Sequence, residues 1–395
     1  MSNSHNQLLG WPIDALRDEG KGNDNAFTLR PYVGYAGHES TFLPNWQVLA
    51  EKLRRCRHDR FVAMCFRGVH LVKDVLDKLA PAIAMKHLKT LTLHTNRLDN
   101  DGYLFLSQFL EGNSTLTSLS LRKNVINCDI DTAKRLAAAM RNHAALGTVD
   151  ISDCSLGSTN IDVFSAIIGG VKNIDNVTLS SNGIGLLHGN ERTHIIANIL
   201  ATNPGIKKLK LNKNSLVDRD LVLIAQALST NDNLACLDIF QNKLNKIGVE
   251  ALDNAICNSS NLNAVVDCNH TCDVRNKHSR LPRQYNKPFH FPCNKEEAIR
   301  KRIHRKVLGV LGANKDAGMS TLLNMQHLSD LPLELMPNVL AMIQGEKKLT
   351  KEGDLTKKEL LVALNNILEV TRKWNFPTLY QFGSKPNNIL KRKRE

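Results

Sequence analysis

The sequence predicts an α/β solenoid, a horseshoe of parallel strands inside and helices outside, followed by a small helical C-terminal region. Three observations carry this reading. A frame first seen as Leu88-x-x-Leu91-x-Leu93-x-x-Asn96-x-Leu98 returns from Leu116, Leu146, Ile174, Ile206 and Leu234, with a degraded copy from Leu262. The steps between these starts are 28, 30, 28, 32, 28 and 28 residues, a period and not a composition effect. Within each copy a short alternating segment precedes a longer one with apolar spacing of three and four, so strand and helix take turns.

Each element has a physical reason. Leu91 and Leu93 flank Thr92, the period of two that sends both leucines to one face of a strand. Asn96 stands where the chain must leave the sheet, and Asn124, Asn182, Asn214 and Asn242 repeat it. An inward amide there can serve backbone groups that a buried turn leaves unpaired. Cys154 replaces Asn in the third copy. The helical stretches show apolar stripes such as Leu136, Ala137 and Met140, Val163, Phe164, Ile167 and Ile168, Ile195, Ile196, Ile199 and Leu200, and Leu221, Ile224, Ala225 and Leu228. One such unit cannot bury its own apolar face, so units must stack. Stacked strands need about 4.8 Å each and helices roughly 8–10 Å, which forces curvature with the strands innermost.

This frame resembles the leucine-rich repeat, in the long-repeat form of ribonuclease inhibitors. The helix around "PNW" before the repeats, the "NHTC" at their end and the later LPLELMPNVLAMIQ also resemble a large family of leucine-rich repeat proteins abundant in diatoms and related microalgae. That resemblance implies the same domain order over roughly residues 40–380, and it brings no activity, substrate or catalytic residue with it.

In chain order, residues 1–43 are polar and rich in Gly and Asn, the composition of a weakly ordered arm. Residues 44–60 are expected to form a cap helix with Trp46, Leu49, Ala50 and Leu53 on one side, covering the open end of the repeats. The repeats span 61–274. They begin with an aromatic copy (Phe61, Met64, Phe66, Val69 and Leu71) and end in LNAVVDCNHTCDV, where Asp267 takes a leucine position and His270 the Asn position. Residues 275–293, with Pro282, Pro288 and Pro292, are a linker. The helical region covers 294–380, with capping-box patterns at Asn294/Glu297 and Thr356/Glu359, and residues 381–395 form a basic tail.

Composition bounds the function. Of the net charge of +14, residues 281–395 carry 21 Lys and Arg against 11 Asp and Glu; the other 280 residues are nearly balanced, 31 against 27. A horseshoe that gripped duplex DNA should show the opposite distribution, so nucleic acid enters, if at all, through the basic C-terminal region. Nine scattered cysteines, no signal segment and no apolar run of membrane length point to a soluble protein with reduced thiols, cytoplasmic, nuclear or both. The tail Lys391, Arg392, Lys393 and Arg394 matches a nuclear-import signal in composition.

Catalytic signals are absent from the sequence. Gly309–Thr321 approximates a phosphate-binding loop, but Met319 stands where the lysine belongs, and a loop between helices is the expected structure. Cys268, His270 and Cys272 lack a second ligand pair at zinc spacing and are expected to close the repeat stack. Neither a paired-carboxylate nor a nucleophile triad is spaced for chemistry, so we expect no enzyme and no cofactor.

The inner strand positions define a polar face instead. Its central column is Thr92, Ser120, Asp150, Thr178, Lys210 and Asp238, flanked by His94, Arg122, Ser152, Ser180, Asn212 and Phe240 and then by Thr95, Lys123, Asp153, Ser181, Lys213 and Gln241. The candidate partner-binding residues are His94, Arg122, Lys123, Asp150, Asp153, Lys210, Lys213, Asp238 and Phe240, the last as the lone large aromatic anchor. The expected function is a non-enzymatic scaffold that binds a protein on this concave face. Two alternatives come from resemblance: a Ran-type GTPase-activating regulator, whose family carries an acidic tail where this chain is basic, and an F-box-like ubiquitin-ligase adaptor, from Leu331-Pro332-x-Glu334-Leu335, whose following helix Pro337 interrupts.

Overall fold

The computed structural model describes residues 26–29, 43–55, 62–185, 191–260, 264–265, 267–276, 286 and 294–313. By compactness the chain divides into two units, Met1–Ile256 with Thr271–Asn286, and Cys257–His270 with Lys287–Glu395.

The first unit contains an open sheet of nine parallel strands in sequence order: β1 (Ala26–Leu29), β2 (Ala63–Arg67), β3 (Thr90–His94), β4 (Ser118–Ser120), β5 (Thr148–Asp150), β6 (Asn176–Thr178), β7 (Lys208–Lys210), β8 (Cys236–Asp238) and β9 (Asp273–Arg275). Helices α1 (Leu43–Arg55), α2 (Lys73–Ala84), α3 (Asn100–Gly112), α4 (Ile130–Asn142), α5 (Ile161–Gly170), α6 (Glu191–Ala201), α7 (Asp218–Leu228) and α8 (Lys246–Ile256) connect successive strands up to β9, each packing on its neighbour. The frame leucines face the helices. Leu119, Val149, Val177, Leu209 and Leu237 are fully buried in one continuous core, while the residues on either side of each stay partly or fully exposed. Parallel strands require a crossover, and the helix in each repeat supplies it.

Helix starts follow local chemistry. The Asp99 carboxylate accepts from Gly102 N at 3.0 Å and Asp129 from Thr132 N at 2.7 Å, pairing orphan donors of α3 and α4. Asp129 is held below the usual carboxylate range, chiefly by that backbone hydrogen bond.

Both ends of the sheet differ from the sequence expectation. Within the expected arm, Ala26–Leu29 is a strand paired with β2, its Phe27 ring 5.9 Å from Phe66. The Trp46 helix is therefore the crossover of a further strand–helix unit, with Trp46, Leu49 and Leu53 buried. At the other end the frame would place a strand at 264–266, yet Ala264 and Val265 are helical. The ninth strand is Asp273–Arg275, 37 residues after its partner Cys236. Asp267 explains the shift, since a carboxylate at a leucine position would be buried without a partner. In β9 Val274 takes the central position, and Arg275 Nε bonds the Asp273 carboxylate at 3.1 Å on the polar side.

In the second unit, α9 (Lys295–Ala313) begins at Asn294, whose side chain accepts from Glu297 N at 2.8 Å. Lys306 is fully buried, and its ammonium reaches Asn269 O at 2.7 Å and His270 Nδ1 at 3.0 Å. Gly309–Ala313, expected as a loop, continues this helix. The expected helices at 332–343 and 356–374, the F-box-like segment and the Lys391–Arg394 tail lie outside the described residues. No described helix is long and apolar enough to cross a membrane.

Candidate functional site

The polar face is built by register. Thr92, Ser120, Asp150, Thr178, Lys210 and Asp238 are directly paired from strand to strand, so the central column stands as its spacing required. The column continues to Cys65 and Thr28 on one side and to Arg275 on the other.

Past the strand ends the order persists through the backbone. Thr95 N donates to Arg122 O, Lys123 N to Ser152 O, Asp153 N to Ser180 O, Ser181 N to Asn212 O and Lys213 N to Phe240 O, at 2.8–3.1 Å. These ties align the second column, Arg122, Ser152, Ser180, Asn212 and Phe240. The third column adopts one conformation throughout: Thr95, Lys123, Asp153, Ser181, Lys213 and Gln241 all have φ between 56° and 61°. Left-handed backbone disfavours a Cβ by about 1–2 kcal/mol per residue, so something in each turn must compensate.

The compensation comes from the buried asparagines. Asn214 Nδ2 donates to Leu179 O at 2.8 Å while its Oδ1 accepts from Asn182 N at 2.8 Å. Asn182 repeats the pattern with Ile151 O at 2.7 Å and Cys154 N at 2.8 Å. Asn242 bonds Leu211 O and Asn214 N, and Asn96 bonds Phe66 O and Val69 N. Cys154 makes a weaker rung: its thiol donates to Leu121 O at 3.2 Å, and the Asn124 N–H is shared between the Cys154 sulfur and Leu121 O. Parallel register, inward leucines and this amide ladder together decide the fold.

The fold is a leucine-rich-repeat solenoid.

No family model matches the chain. Over 206 residues, 51% of its length, the leucine-rich-repeat chain is 26% identical to the NACHT, LRR and PYD domains-containing protein 5 of Homo sapiens, and it spans only 17% of that relative. Among solved structures it is similar to the leucine-rich repeat-containing protein LegL7 from Legionella pneumophila, at 14% identity and a TM-score of 0.36, covering 72% of this chain and 98% of that one.

Charge on the repeat face falls in three groups. Arg67 is paired in register with His94 and joins Arg122 and Lys123 in the first. Burial and then these three cations hold the His94 imidazole below its usual pKa, with Asp150 opposing them, so His94 is neutral near pH 7. Asp150 and exposed Asp153 form the second group, and Asp150 Oδ1 accepts from Ser152 N at 2.9 Å and from the Ser152 hydroxyl. Lys208, Lys210 and Lys213, all exposed, form the third. Lys207 is set apart by its ion pair with Asp175 at 3.0 Å. Asp238 is half-buried, with an Oδ1 that makes no hydrogen bond. Phe240 is also half-buried, and its N–H donates to Asn212 Oδ1 at 2.7 Å.

Sequence reasoning passed over Arg67, although its place 27 residues before His94 in the frame was the signal. Register also adds Arg275 next to Asp238. Among the described residues no group of three His, Cys, Asp or Glu side chains is placed to hold a metal ion. Cys268 instead accepts from Asn258 N at 2.9 Å and donates to Ala264 O at 2.8 Å.

Proposed function

We propose that the chain is a non-enzymatic interaction scaffold that binds a protein partner on the open face of its sheet, in the cytoplasm, the nucleus or both. The observation that carries this is the solvent-facing ladder itself, with Arg122, Lys123, Lys208, Lys210 and Lys213 free of ion-pair partners among the described residues. Folding that leaves five cations outside ion pairs on one sheet face keeps them available to an external group. The leucine-rich repeats named in the human relative fit a repeat scaffold. We assign the ribonuclease-inhibitor-like subtype from the 28-residue step, and the diatom-type domain order from the motifs at both ends of the repeats.

The test is quantitative affinity purification of the intact protein beside Lys210→Glu/Lys213→Glu and a helix-side control, Lys134→Glu/Arg141→Glu. A partner lost with the first pair and retained with the second supports the reading. Equal recovery by all three overturns it.

A further inference from the structure

The order of charge on this face specifies the chemistry of its occupant. Resting on the reading above, the geometry points to an extended peptide segment of the pattern acid-x-base-x-acid, lying across the strands.

The basic group at Arg122 and Lys123 belongs to the β4 repeat, the acidic group at Asp150 and Asp153 to the β5 repeat, and the lysines to the β7 repeat. With strands about 4.8 Å apart, the acidic group lies about 5 Å from the first cations and the lysines about 14 Å from them. In an extended peptide, residues i, i+2 and i+4 share one face and lie roughly 0, 6.6 and 13 Å along it. The two sets of spacings agree to within about 2 Å, which the long Arg and Lys side chains can span. An acid at i meets Arg122 and Lys123, a base at i+2 meets Asp150 and Asp153, and an acid at i+4 meets Lys210 and Lys213.

Thr178 and Ser180 of the intervening repeat are uncharged and half-exposed, so no like charge lies beneath the peptide between its base and its second acid. The acidic group is shaped for an external cation: Ser152 engages Asp150 Oδ1 only, and Oδ2 makes no hydrogen bond among the described residues. A polyanion such as RNA fits the two ends and is rejected in the middle, because it must set a phosphate against Asp150 and Asp153. His94, neutral near pH 7, adds no charge to the first group.

The test uses the intact protein and fluorescein-labelled peptides on one Ala/Ser scaffold, read by fluorescence anisotropy. The peptides carry acid-x-base-x-acid, acid-x-acid-x-acid or base-x-acid-x-base, and a single-stranded RNA oligonucleotide is the fourth probe. The first peptide is expected to bind roughly tenfold tighter than the others, as three exposed charge pairs allow. Asp150→Lys/Asp153→Lys should transfer the preference to the all-acid peptide, with far-UV circular dichroism confirming an intact fold. Equal binding of the three peptides, or tighter binding of RNA, overturns the inference. If the peptides are not distinguished while purified partner recovery still depends on Lys210 and Lys213, the inference fails and the scaffold reading stands. If recovery is also indifferent to those lysines, both fail.

Discussion

Replacing Asn182 with alanine removes a rung on which two neighbouring turns depend. Its amide donates to Ile151 O at 2.7 Å and accepts from Cys154 N at 2.8 Å, and the side chain is 2% exposed. Truncation strands the Ile151 carbonyl and the Cys154 N–H, each at about 1–3 kcal/mol, and also removes the longer contact from Leu156 N at 3.3 Å. The turn also holds Ser181 at φ 58° without glycine, so relaxation there works against the mutant. Asn182→Ala should therefore cost about 2–6 kcal/mol, against ordinary domain stabilities of about 5–15 kcal/mol. The control is Asn142→Ala, an exposed asparagine at the end of α4, which should change stability by less than about 0.5 kcal/mol. Cys154→Asn has the opposite sign: it replaces a weak sulfur rung with an amide one and should add about 0.5–1.5 kcal/mol. Urea unfolding followed by circular dichroism reads all three, and hydrogen exchange at Cys154 N and Leu156 N reports the loss of the Asn182 rung. If Asn182→Ala unfolds no earlier than Asn142→Ala, the ladder does not support the turns and the reasoning fails.

Neighbouring glycines in the last turn of α5 should respond with opposite sign. A Cβ at Gly170 would stand 2.7 Å from Ala137 Cα, whereas one at Gly169 meets nothing within 4 Å. Gly170→Ala should lose about 1–3 kcal/mol and Gly169→Ala gain about 0.4–1 kcal/mol, as thermal unfolding would show. The depressed pKa of His94 means that the unfolded chain takes up its proton first on acidification. Stability should thus rise with pH across the window just below 6.5, and His94→Gln should flatten that slope in urea titrations repeated at several pH values. Burial pushes the Cys154 thiol up to about 12 and that of Cys128 to about 11. Both should resist alkylation at pH 8 in the native protein and react at once in urea, as peptide mass mapping would show.

Much of this fold was legible because burial enforces a period. A frame leucine that slipped by one residue would face solvent, so the spacing fixed which strand positions are paired, from Met64 beside Leu91 to Leu209 beside Leu237. Legibility ended where the period did. Ala26–Leu29 lies 37 residues before its partner and carries no Asn turn, so no signal marked it as a strand. The last strand moved to Asp273 because Asp267 interrupts the frame, and sequence alone does not say how far a chain travels before resuming. On the polar face, the columns were legible but the pairing of charges was not. Lys207 and Lys208 are adjacent in sequence, yet only Lys207 meets an aspartate. The left-handed turns were hidden too, since Thr95, Lys123 and Lys213 occupy a conformation that sequence normally announces with glycine. A second asparagine series was also missed: Asn113 accepts from Leu116 N and Asn231 from Leu234 N, closing the helix-to-strand loops.

The scaffold reading is tested most directly by lysine footprinting of the protein with its purified partner. Acetylation rates at Lys208, Lys210 and Lys213 should fall on complex formation, while those at Lys134 on α4 stay unchanged. Protection confined to Lys134 and other helix-side lysines, with the sheet-face lysines still fully reactive, would contradict it.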